Sequence, residues 1–165
     1  MRDFKRIAAD LWSLSNSDAP SRDRLIRLAA APTGAPKEGA RALRILVVDD
    51  VPMNRKLLRT ILSDFGHTIV EATDGPGAIE TALTERFDLI LMDVHMPHLD
   101  GPSAARAIRG GRGPNAATPI LALTADARPQ QIAECEAAGM EGYLTKPISL
   151  ADLLAAVASL DGPEA

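Results

Sequence analysis

The feature that most restricts the fold of this chain is a set of short apolar runs, each of which ends in a polar group. Three runs end in Asp49-Asp50, in Asp93 and in Thr124, and a fourth short run leads to Lys146. Continuous apolar runs of this length are typical of parallel strands that are buried on both faces. Ligands of open parallel sheets bind at the carboxyl ends of the strands, so these side chains are expected to meet at one edge.

The three carboxylates at that edge would repel one another unless a cation lay between them. Oxygen ligands of this kind suit a hard divalent cation, so the sequence predicts a Mg²⁺ site. The neighbouring groups fit phosphoryl transfer. A carboxylate can attack phosphorus to form an acyl phosphate, while a hydroxyl and an ammonium bind the remaining phosphoryl oxygens. Each of these residues is commonplace where it stands, and only their joint placement indicates a site.

The chain after residue 42 alternates between strand and helix patterns. The predicted strands are residues 43–49, 67–72, 88–93, 119–124 and 141–144. The predicted helices are residues 52–65, 78–86, 102–109, 129–138 and about 150–160, with residues 74–77 as a turn. Five strand–helix units indicate an α/β fold with a doubly wound, five-stranded parallel sheet and helices on both faces.

The first predicted helix has clear boundaries and an apolar pattern. Pro52 suits its first turn, and Gly66 follows where a helix commonly ends. Apolar residues at helical spacing predict one buried face. That face comprises Leu57, Leu58, Ile61, Leu62 and Phe65.

Composition indicates a protein of the reducing cytoplasm. The chain has 165 residues, 46% of them apolar and 24% charged, as in ordinary globular domains. No apolar run approaches the roughly 20 residues that span a bilayer, and the N-terminus lacks a secretory signal pattern. Cys135 is the only cysteine, so an internal disulfide is impossible and a cytoplasmic location is favoured.

Charge and turn residues divide the chain into three parts. Residues 1–41 carry eight basic and five acidic residues, whereas residues 42–165 carry ten basic and seventeen acidic ones. The acidic body argues against nucleic-acid binding. Residues 1–31 predict a short helical N-terminal extension, residues 32–42 a linker rich in proline and glycine, and residues 43–161 the folded domain. What the extension packs against, if anything, stays open.

Four stretches carry a resemblance to a known family. They are ILVVDDVPMNRKLL, FDLILMDVHMPHLDG, TPILALTA and GYLTKP. Together they resemble the receiver domain of response regulators in two-component signalling, over about 120 of the 165 residues. The wording is similar to the receivers of hybrid histidine kinases, and the resemblance implies a flavodoxin-like sheet.

The resemblance implies a metal site and a phosphoacceptor. Asp93 is implied to accept the phosphoryl group and to help bind Mg²⁺. Asp50 would be a direct Mg²⁺ ligand, with Asp49 acting largely through water. The backbone carbonyl of His95 would complete the protein ligands.

The resemblance also implies a switch and two tuning positions. Thr124 and Lys146 would hold the phosphoryl oxygens. As Thr124 moves toward the phosphoryl group, Tyr143 would turn inward and change the shape of the neighbouring surface. The side chains of His95 and Asp126 would stand at the mouth of the site and adjust the lifetime of the phosphorylated form.

The implied partners are proteins. A phosphohistidine on a histidine kinase or a histidine phosphotransfer protein would supply the phosphoryl group, and an unknown downstream protein would respond. No membrane or nucleic-acid partner is expected. The domain is predicted to end near residue 160 without an output domain. A stand-alone receiver is therefore expected, although a segment of a hybrid kinase would look almost the same.

Two other classes of function stay open at this point. One is a scaffold with a receiver fold that works by docking and is never phosphorylated. The other is a Mg²⁺-dependent phosphatase with an aspartyl nucleophile. Such phosphatases usually have a second aspartate two residues after the nucleophile, where this chain has His95, so a turnover enzyme is not expected.

Overall fold

The computed structural model describes residues 41–161, so the predictions for residues 1–31 and for nearly all of the linker lie outside the described part. Within it, the chain alternates strand and helix as the pattern predicts. The strands β1 to β5 are Arg44–Val48, Thr68–Ala72, Leu89–Asp93, Ile120–Thr124 and Gly142–Thr145. The helices α1 to α5 are Pro52–Asp64, Gly75–Thr84, Gly101–Gly110, Pro129–Ala137 and Leu150–Ala158, and a 3₁₀ helix, Ser159–Asp161, follows α5.

The five strands form one parallel sheet in the order β2-β1-β3-β4-β5. This confirms the predicted doubly wound, flavodoxin-like fold. The chain moves outward from β1 to β2 and then crosses back to β3, so β1 and β3 flank the point where the strand order reverses. Open parallel sheets bind their ligands in the crevice at this point. The register pairs Val48 with Met92, which sets Asp49 beside Asp93 at the carboxyl edge.

One face of the sheet shares a cluster of buried apolar residues with the helices that cover it. The strands contribute Leu46, Val48, Ile90, Met92, Ile120 and Ala122. The helices α2, α3 and α4 contribute Ala78, Ala82, Ala104, Ala105, Ile108 and Cys135. Alternate residues of β1 and β3 are equally buried, so these central strands are covered on both faces, as their uninterrupted apolar runs predict.

Helix α1 contacts β1 and β2 and buries a narrower face than predicted. Leu58 and Leu62 are buried, but Leu57 is 53% exposed, so its predicted place in the buried face is wrong. Neighbouring residues of a helix are turned by about 100°, and the sheet covers only the stripe that contains Leu58 and Leu62. Met53, one turn before Leu57, is 70% exposed. The helix therefore has a second, exposed apolar side.

Helix α2 begins three residues earlier than predicted. The prediction of a turn at residues 74–77 is wrong, because the helix starts at Gly75. Asp74 is its N-cap, and the Asp74 side chain accepts a hydrogen bond from the Gly77 N–H at 2.7 Å. The glycine and proline residues of this segment suggested a turn, although proline is well tolerated in the first turn of a helix. Helix α3 starts in the same way, with Asp100 accepting from the Ser103 N–H.

The described residues fall into two compact units, residues 42–146 and a second unit that includes residues 147–161. In the second unit, Ser149 precedes α5, and its side chain caps the helix by accepting a hydrogen bond from the Asp152 N–H. Across residues 41–161, no helix combines the length and apolar character required to cross a bilayer.

Candidate metal and phosphoacceptor site

Three carboxylates meet where the carboxyl ends of β1 and β3 adjoin. Oxygens of Asp49, Asp50 and Asp93 all lie within 4.8 Å of one another. Asp49 is fully buried and Asp93 is 4% exposed, whereas Asp50 is exposed. The predicted cluster is therefore present, with two carboxylates at the base of the crevice and one at its mouth.

Asp49 is held by hydrogen bonds on every side. Its Oδ1 accepts from the Val51 N–H at 2.8 Å. Its Oδ2 accepts from Asn54 Nδ2 at 3.2 Å and from Lys146 Nζ at 2.9 Å. Its backbone carbonyl accepts from Arg55 Nη1 at 2.7 Å. The position of this carboxylate is therefore fixed by β1, α1 and the residue that follows β5.

Lys146 reaches the base of the crevice and links two carboxylates. Its Nζ lies 2.9 Å from Asp49 Oδ2 and 3.2 Å from Asp93 Oδ1. Burial disfavours the charged form of Lys146, but its hydrogen bond with Asp49 and the charge of Asp93 outweigh burial and raise its pKa. Burial raises the pKa of Asp93, and the charge of Asp49 adds to this, while Lys146 offsets only part of the effect.

Thr124 ends β4 with its side chain fully buried. Its hydroxyl donates to the backbone carbonyl of Asp126 at 2.9 Å and accepts from the Asp126 N–H at 3.0 Å. The Asp126 side chain pairs with Arg128, whose hydrogen bonds lower the pKa of Asp126. Tyr143 on β5 is half-buried and packs against the core cluster.

The likeness to known proteins decides the family. A family model described as the response regulator receiver domain matches residues 45–158. The chain belongs to this receiver family. The sensor protein GacS of Pseudomonas syringae is 43% identical over 116 residues, which is 69% of this chain and 13% of that protein. The sensor histidine kinase AruS of Pseudomonas aeruginosa is 39% identical over 119 residues, which is 72% of this chain and 12% of that protein. The receiver thus corresponds to a small part of each relative.

Solved receivers have the same fold. The receiver domain of a sensor histidine kinase from Pseudomonas aeruginosa is 36% identical, with a TM-score of 0.68 over 74% of this chain and 100% of that chain. That structure contains a magnesium ion coordinated in its active-site cleft. The chemotaxis protein CheY4 of Vibrio cholerae is 33% identical, with a TM-score of 0.69 over 73% of this chain and 99% of that chain.

The acidic cluster of this receiver fits a hard divalent cation. Three carboxylates converge with a single ammonium, which leaves an excess of negative charge in a mostly buried crevice. Burial, with a smaller contribution from the charge of Asp49, raises the pKa of Asp93, so a cation there would favour the ionised carboxylate. Oxygen donors without a cysteine or imidazole among them suit Mg²⁺. The chemistry of the donor set therefore agrees with the predicted cofactor.

The loop after Asp93 is closely packed. A Cβ at Gly101 would lie 2.3 Å from the carbonyl oxygen of Asp93. His98 has a φ of 69°, and the Leu99 N–H donates to the Pro97 carbonyl at 2.8 Å across it. This is a tight three-residue turn of the strained, positive-φ kind. The path of the receiver between β3 and α3 is thus set by close backbone contacts.

His95 lies two residues after Asp93, and its tuning role stays a prediction. Its side chain is exposed and lines a cleft of about 300 Å³ that also contacts Asp100 and Glu134. Its backbone N–H donates to Asp93 Oδ1 at 3.3 Å. His67, by contrast, has a structural role, because its Nδ1 accepts from the Leu43 N–H at 3.1 Å.

Sequence reasoning missed two residues of the site. They are Asn54 and Arg55, for which the sequence pattern predicts no role at the site. Both lie in the first turns of α1, directly after the strand end that carries the carboxylates. A polar side chain at this point can reach back to the strand end, and this signal was available in the sequence. Arg55 also pairs with Glu71 on β2 at 3.4 Å, which ties α1 to the edge of the sheet.

Proposed function

We propose that residues 43–161 form a receiver that accepts a phosphoryl group on Asp93 from a phosphohistidine of a histidine kinase or histidine phosphotransfer protein. The reaction depends on Mg²⁺, and the domain signals by changing conformation or by passing the phosphoryl group on. The observation that carries this proposal is the contact of Asp93 with Lys146 beside two further carboxylates at the β1–β3 crevice.

The transfer balances without any other reactant. An oxygen of Asp93 attacks phosphorus, a P–O bond forms, and the P–N bond to the donor imidazole breaks. The electron pair of that bond stays on the imidazole nitrogen, which then takes up a proton. Attack of water on the acyl phosphate later returns the Asp93 carboxylate and inorganic phosphate. The acceptor is a side chain of the receiver itself, so the domain is a regulatory phosphoacceptor rather than a turnover enzyme.

The remaining residues position the reacting groups and balance charge. A Mg²⁺ ion held by Asp49, Asp50, Asp93 and the His95 carbonyl would neutralise charge on the transferring group. Attack requires the ionised form of Asp93, which the ammonium of Lys146 favours from 3.2 Å. Lys146 and the hydroxyl of Thr124 would then bind the phosphoryl oxygens.

The switch proposed for this receiver starts at Thr124. In the structure its hydroxyl bonds to the backbone of Asp126, at the start of the loop that leads into α4. Binding a phosphoryl oxygen would require that hydroxyl to leave Asp126 and would release the loop. The loop ends at Arg128, which gives α4 no side-chain cap. Tyr143 would fill the space that Thr124 leaves, which is a two-state change driven by a local charge.

The donor protein must contact the surface around the crevice, because Asp93 lies at its base. Because Asp93 is 4% exposed, a phosphohistidine would approach it through the crevice mouth. We take the rim of that mouth to include His95, Asp126 and the start of α1. Val51 and Met53 there are 43% and 70% exposed. We place the donor protein on this rim, and water that enters past His95 and Asp126 would set the phosphoryl lifetime.

The unpaired, buried Cys135 fits the cytoplasm, where such donors are phosphorylated.

The first test is direct phosphorylation. The wild type and Asp93→Asn are incubated with Mg²⁺ and a small acyl-phosphate donor, and the intact mass of each protein is recorded. Addition of one phosphoryl group to the wild type alone, lost when Mg²⁺ is removed, supports the proposal. Equal addition to Asp93→Asn would refute the acceptor residue. No addition to the wild type, from this donor or from a phosphorylated histidine phosphotransfer domain, would refute the function.

A further inference from the structure

We propose that Asn54 is a positioning residue that keeps Asp49 hydrogen-bonded while Lys146 turns to the phosphoryl group. This inference rests on the proposed function, because it concerns what happens to Asp49 when Asp93 is phosphorylated. It assigns a role to a residue of α1 that touches neither the donor nor the phosphorus atom.

Two side chains donate hydrogen bonds to the same oxygen of Asp49. Asp49 is fully buried, and its Oδ2 receives one hydrogen bond from Asn54 Nδ2 at 3.2 Å and one from Lys146 Nζ at 2.9 Å. Its Oδ1 is served separately by the Val51 N–H at 2.8 Å. One oxygen of a buried carboxylate thus has two side-chain donors, of which one is charged and the other neutral.

The charged donor has a second anion within reach. Lys146 Nζ also lies 3.2 Å from Oδ1 of Asp93, the carboxylate to which a phosphoryl group would be added. Phosphorylation replaces one negative charge at Asp93 by about two and adds three strong acceptor oxygens. The ammonium is drawn toward these oxygens and away from Asp49. A buried acceptor that loses its donor is costly, so without a second donor this movement would be opposed.

Asn54 meets the requirement for that second donor. Its amide is neutral, so the new charge at Asp93 attracts it far less than it attracts an ammonium. Its backbone is fixed in α1, and the side chain is half-buried. The amide donates back to the end of β1, five residues earlier, rather than capping its own helix. Asp49 therefore stays oriented in both states, and Lys146 is free to move.

The first experiment tests the shared acceptor without any phosphoryl chemistry. Unfolding by urea in metal-free buffer at pH 7.5 is compared for the wild type, Asn54→Ala, Lys146→Met and the double variant. Each single variant leaves one donor on Asp49 Oδ2, and the double variant leaves none. If the two single effects were independent, their fold-changes in the folding equilibrium constant would multiply. We expect the folding equilibrium constant of the double variant to be roughly tenfold lower than that product predicts. Additive losses would overturn the proposal.

A matched control comes from the same helix. Lys56 lies two residues after Asn54 and its side chain is exposed. Lys56→Ala combined with Lys146→Met is expected to be additive. Coupling of the same size in this control would mean that the cycle reports general destabilisation, which would also overturn the proposal.

The second experiment measures the phosphorylation rate by intact mass with a small acyl phosphate and Mg²⁺. Asn54→Ala is expected to lower the rate at saturating donor roughly tenfold and to leave the half-saturating donor concentration unchanged, since Asn54 does not contact the donor. Asn54→Asp has the same shape but no donor at neutral pH, and it should be slowed at least as much. A wild-type rate in either variant would overturn the proposal even if the stability cycle shows coupling.

The two experiments separate the possible failures. If the wild type is not phosphorylated at all, the proposed function fails and this inference fails with it. If the wild type is phosphorylated and the Asn54 variants match its rate, only the role of Asn54 is refuted.

Discussion

At the scale of single residues, the receiver buries a carboxylate in a place that does not favour its charge. Asp93 is almost fully buried beside Asp49, and Lys146 compensates only part of the repulsion and burial. Because burial raises the pKa of Asp93, an ionised carboxylate in this place lowers the stability of the fold. Perturbed groups of this kind concentrate at functional sites.

We predict that Asp93→Asn stabilises the protein in metal-free buffer at neutral pH. The pKa of Asp93 is raised in the folded state, so its contribution to stability is complete only below its unfolded pKa and is lost as the pH rises through the folded pKa. The amide does not titrate and avoids this loss. Urea unfolding of both proteins from pH 4 to pH 8 should show a difference that grows with pH. A lower stability of the variant at neutral pH would contradict the prediction.

A second residue-scale prediction concerns the close approach at Gly101. In Gly101→Ala the new Cβ would meet the Asp93 carbonyl at 2.3 Å, so the loop between β3 and α3 must shift. We expect a loss of about 1–3 kcal/mol in the free energy of unfolding. Gly110, at the other end of α3, has nothing within 4 Å of a new Cβ. Gly110→Ala should therefore leave the stability unchanged or raise it by up to about 1 kcal/mol. Equal effects of the two variants in chemical unfolding would refute the steric argument.

At the scale of elements, α1 has three separate groups of side chains with different contacts. Leu58 and Leu62 attach it to the sheet, Asn54 and Arg55 reach back to Asp49, and the apolar side chain of Met53 stays exposed. The helix thus connects the core, the acidic site and the surface on which we place the donor protein.

We predict that Met53→Ser separates donor recognition from chemistry. Transfer from a phosphorylated histidine phosphotransfer domain that is active on the wild type should slow roughly tenfold, because a contact residue is lost. Phosphorylation by a small acyl phosphate should keep its wild-type rate. Leu83 on α2 is 47% exposed, and Leu83→Ser provides a control of similar character. Both rates can be followed by intact mass, and an equal slowing in the control would remove α1 from the donor surface.

The same elements show what a sequence can predict. The sheet and the carboxylate cluster followed from local features, since the central strands are short apolar runs and the predicted site residues lie at or just after strand ends. The exposure of Leu57 did not follow, because periodicity does not reveal how wide a stripe the sheet covers. Asn115 was likewise hidden in a glycine-rich loop. It is fully buried, and its side chain bonds to the backbone of Ala82, Glu85 and Phe87. Such a network depends on tertiary neighbours that no local pattern specifies.

At the scale of the whole molecule, residues 42–165 are acidic, and three of their carboxylates meet at one crevice. Residues 42–165 have seven more acidic than basic residues, and three carboxylates meet within 4.8 Å. Any cation that binds the folded state alone stabilises that state in proportion to its occupancy. The metal and the stability of the receiver should therefore be linked.

We predict that Mg²⁺ raises the thermal midpoint of the wild type and that Asp50→Asn largely abolishes this rise. At a concentration 100 times the dissociation constant, the stabilisation would be about 2.7 kcal/mol. Asp50 is exposed, so its replacement should change the metal-free midpoint little. Differential scanning fluorimetry over a Mg²⁺ series gives both values. An Mg²⁺ response of wild-type size in Asp50→Asn would contradict the assignment of this carboxylate as a ligand.

The reaction rate of the single cysteine can report when helix α4 of this receiver opens. The Cys135 thiol on α4 is 2% exposed, and burial raises its pKa, so a thiol reagent must wait for the helix to open before it can react. If release of Thr124 loosens the start of α4, the labelling half-time should shorten on phosphorylation. Stopped-flow labelling of the wild-type protein with a chromogenic thiol reagent, with no engineered cysteine, would then time the step between phosphoryl transfer and response. An unchanged half-time would mean that α4 does not take part.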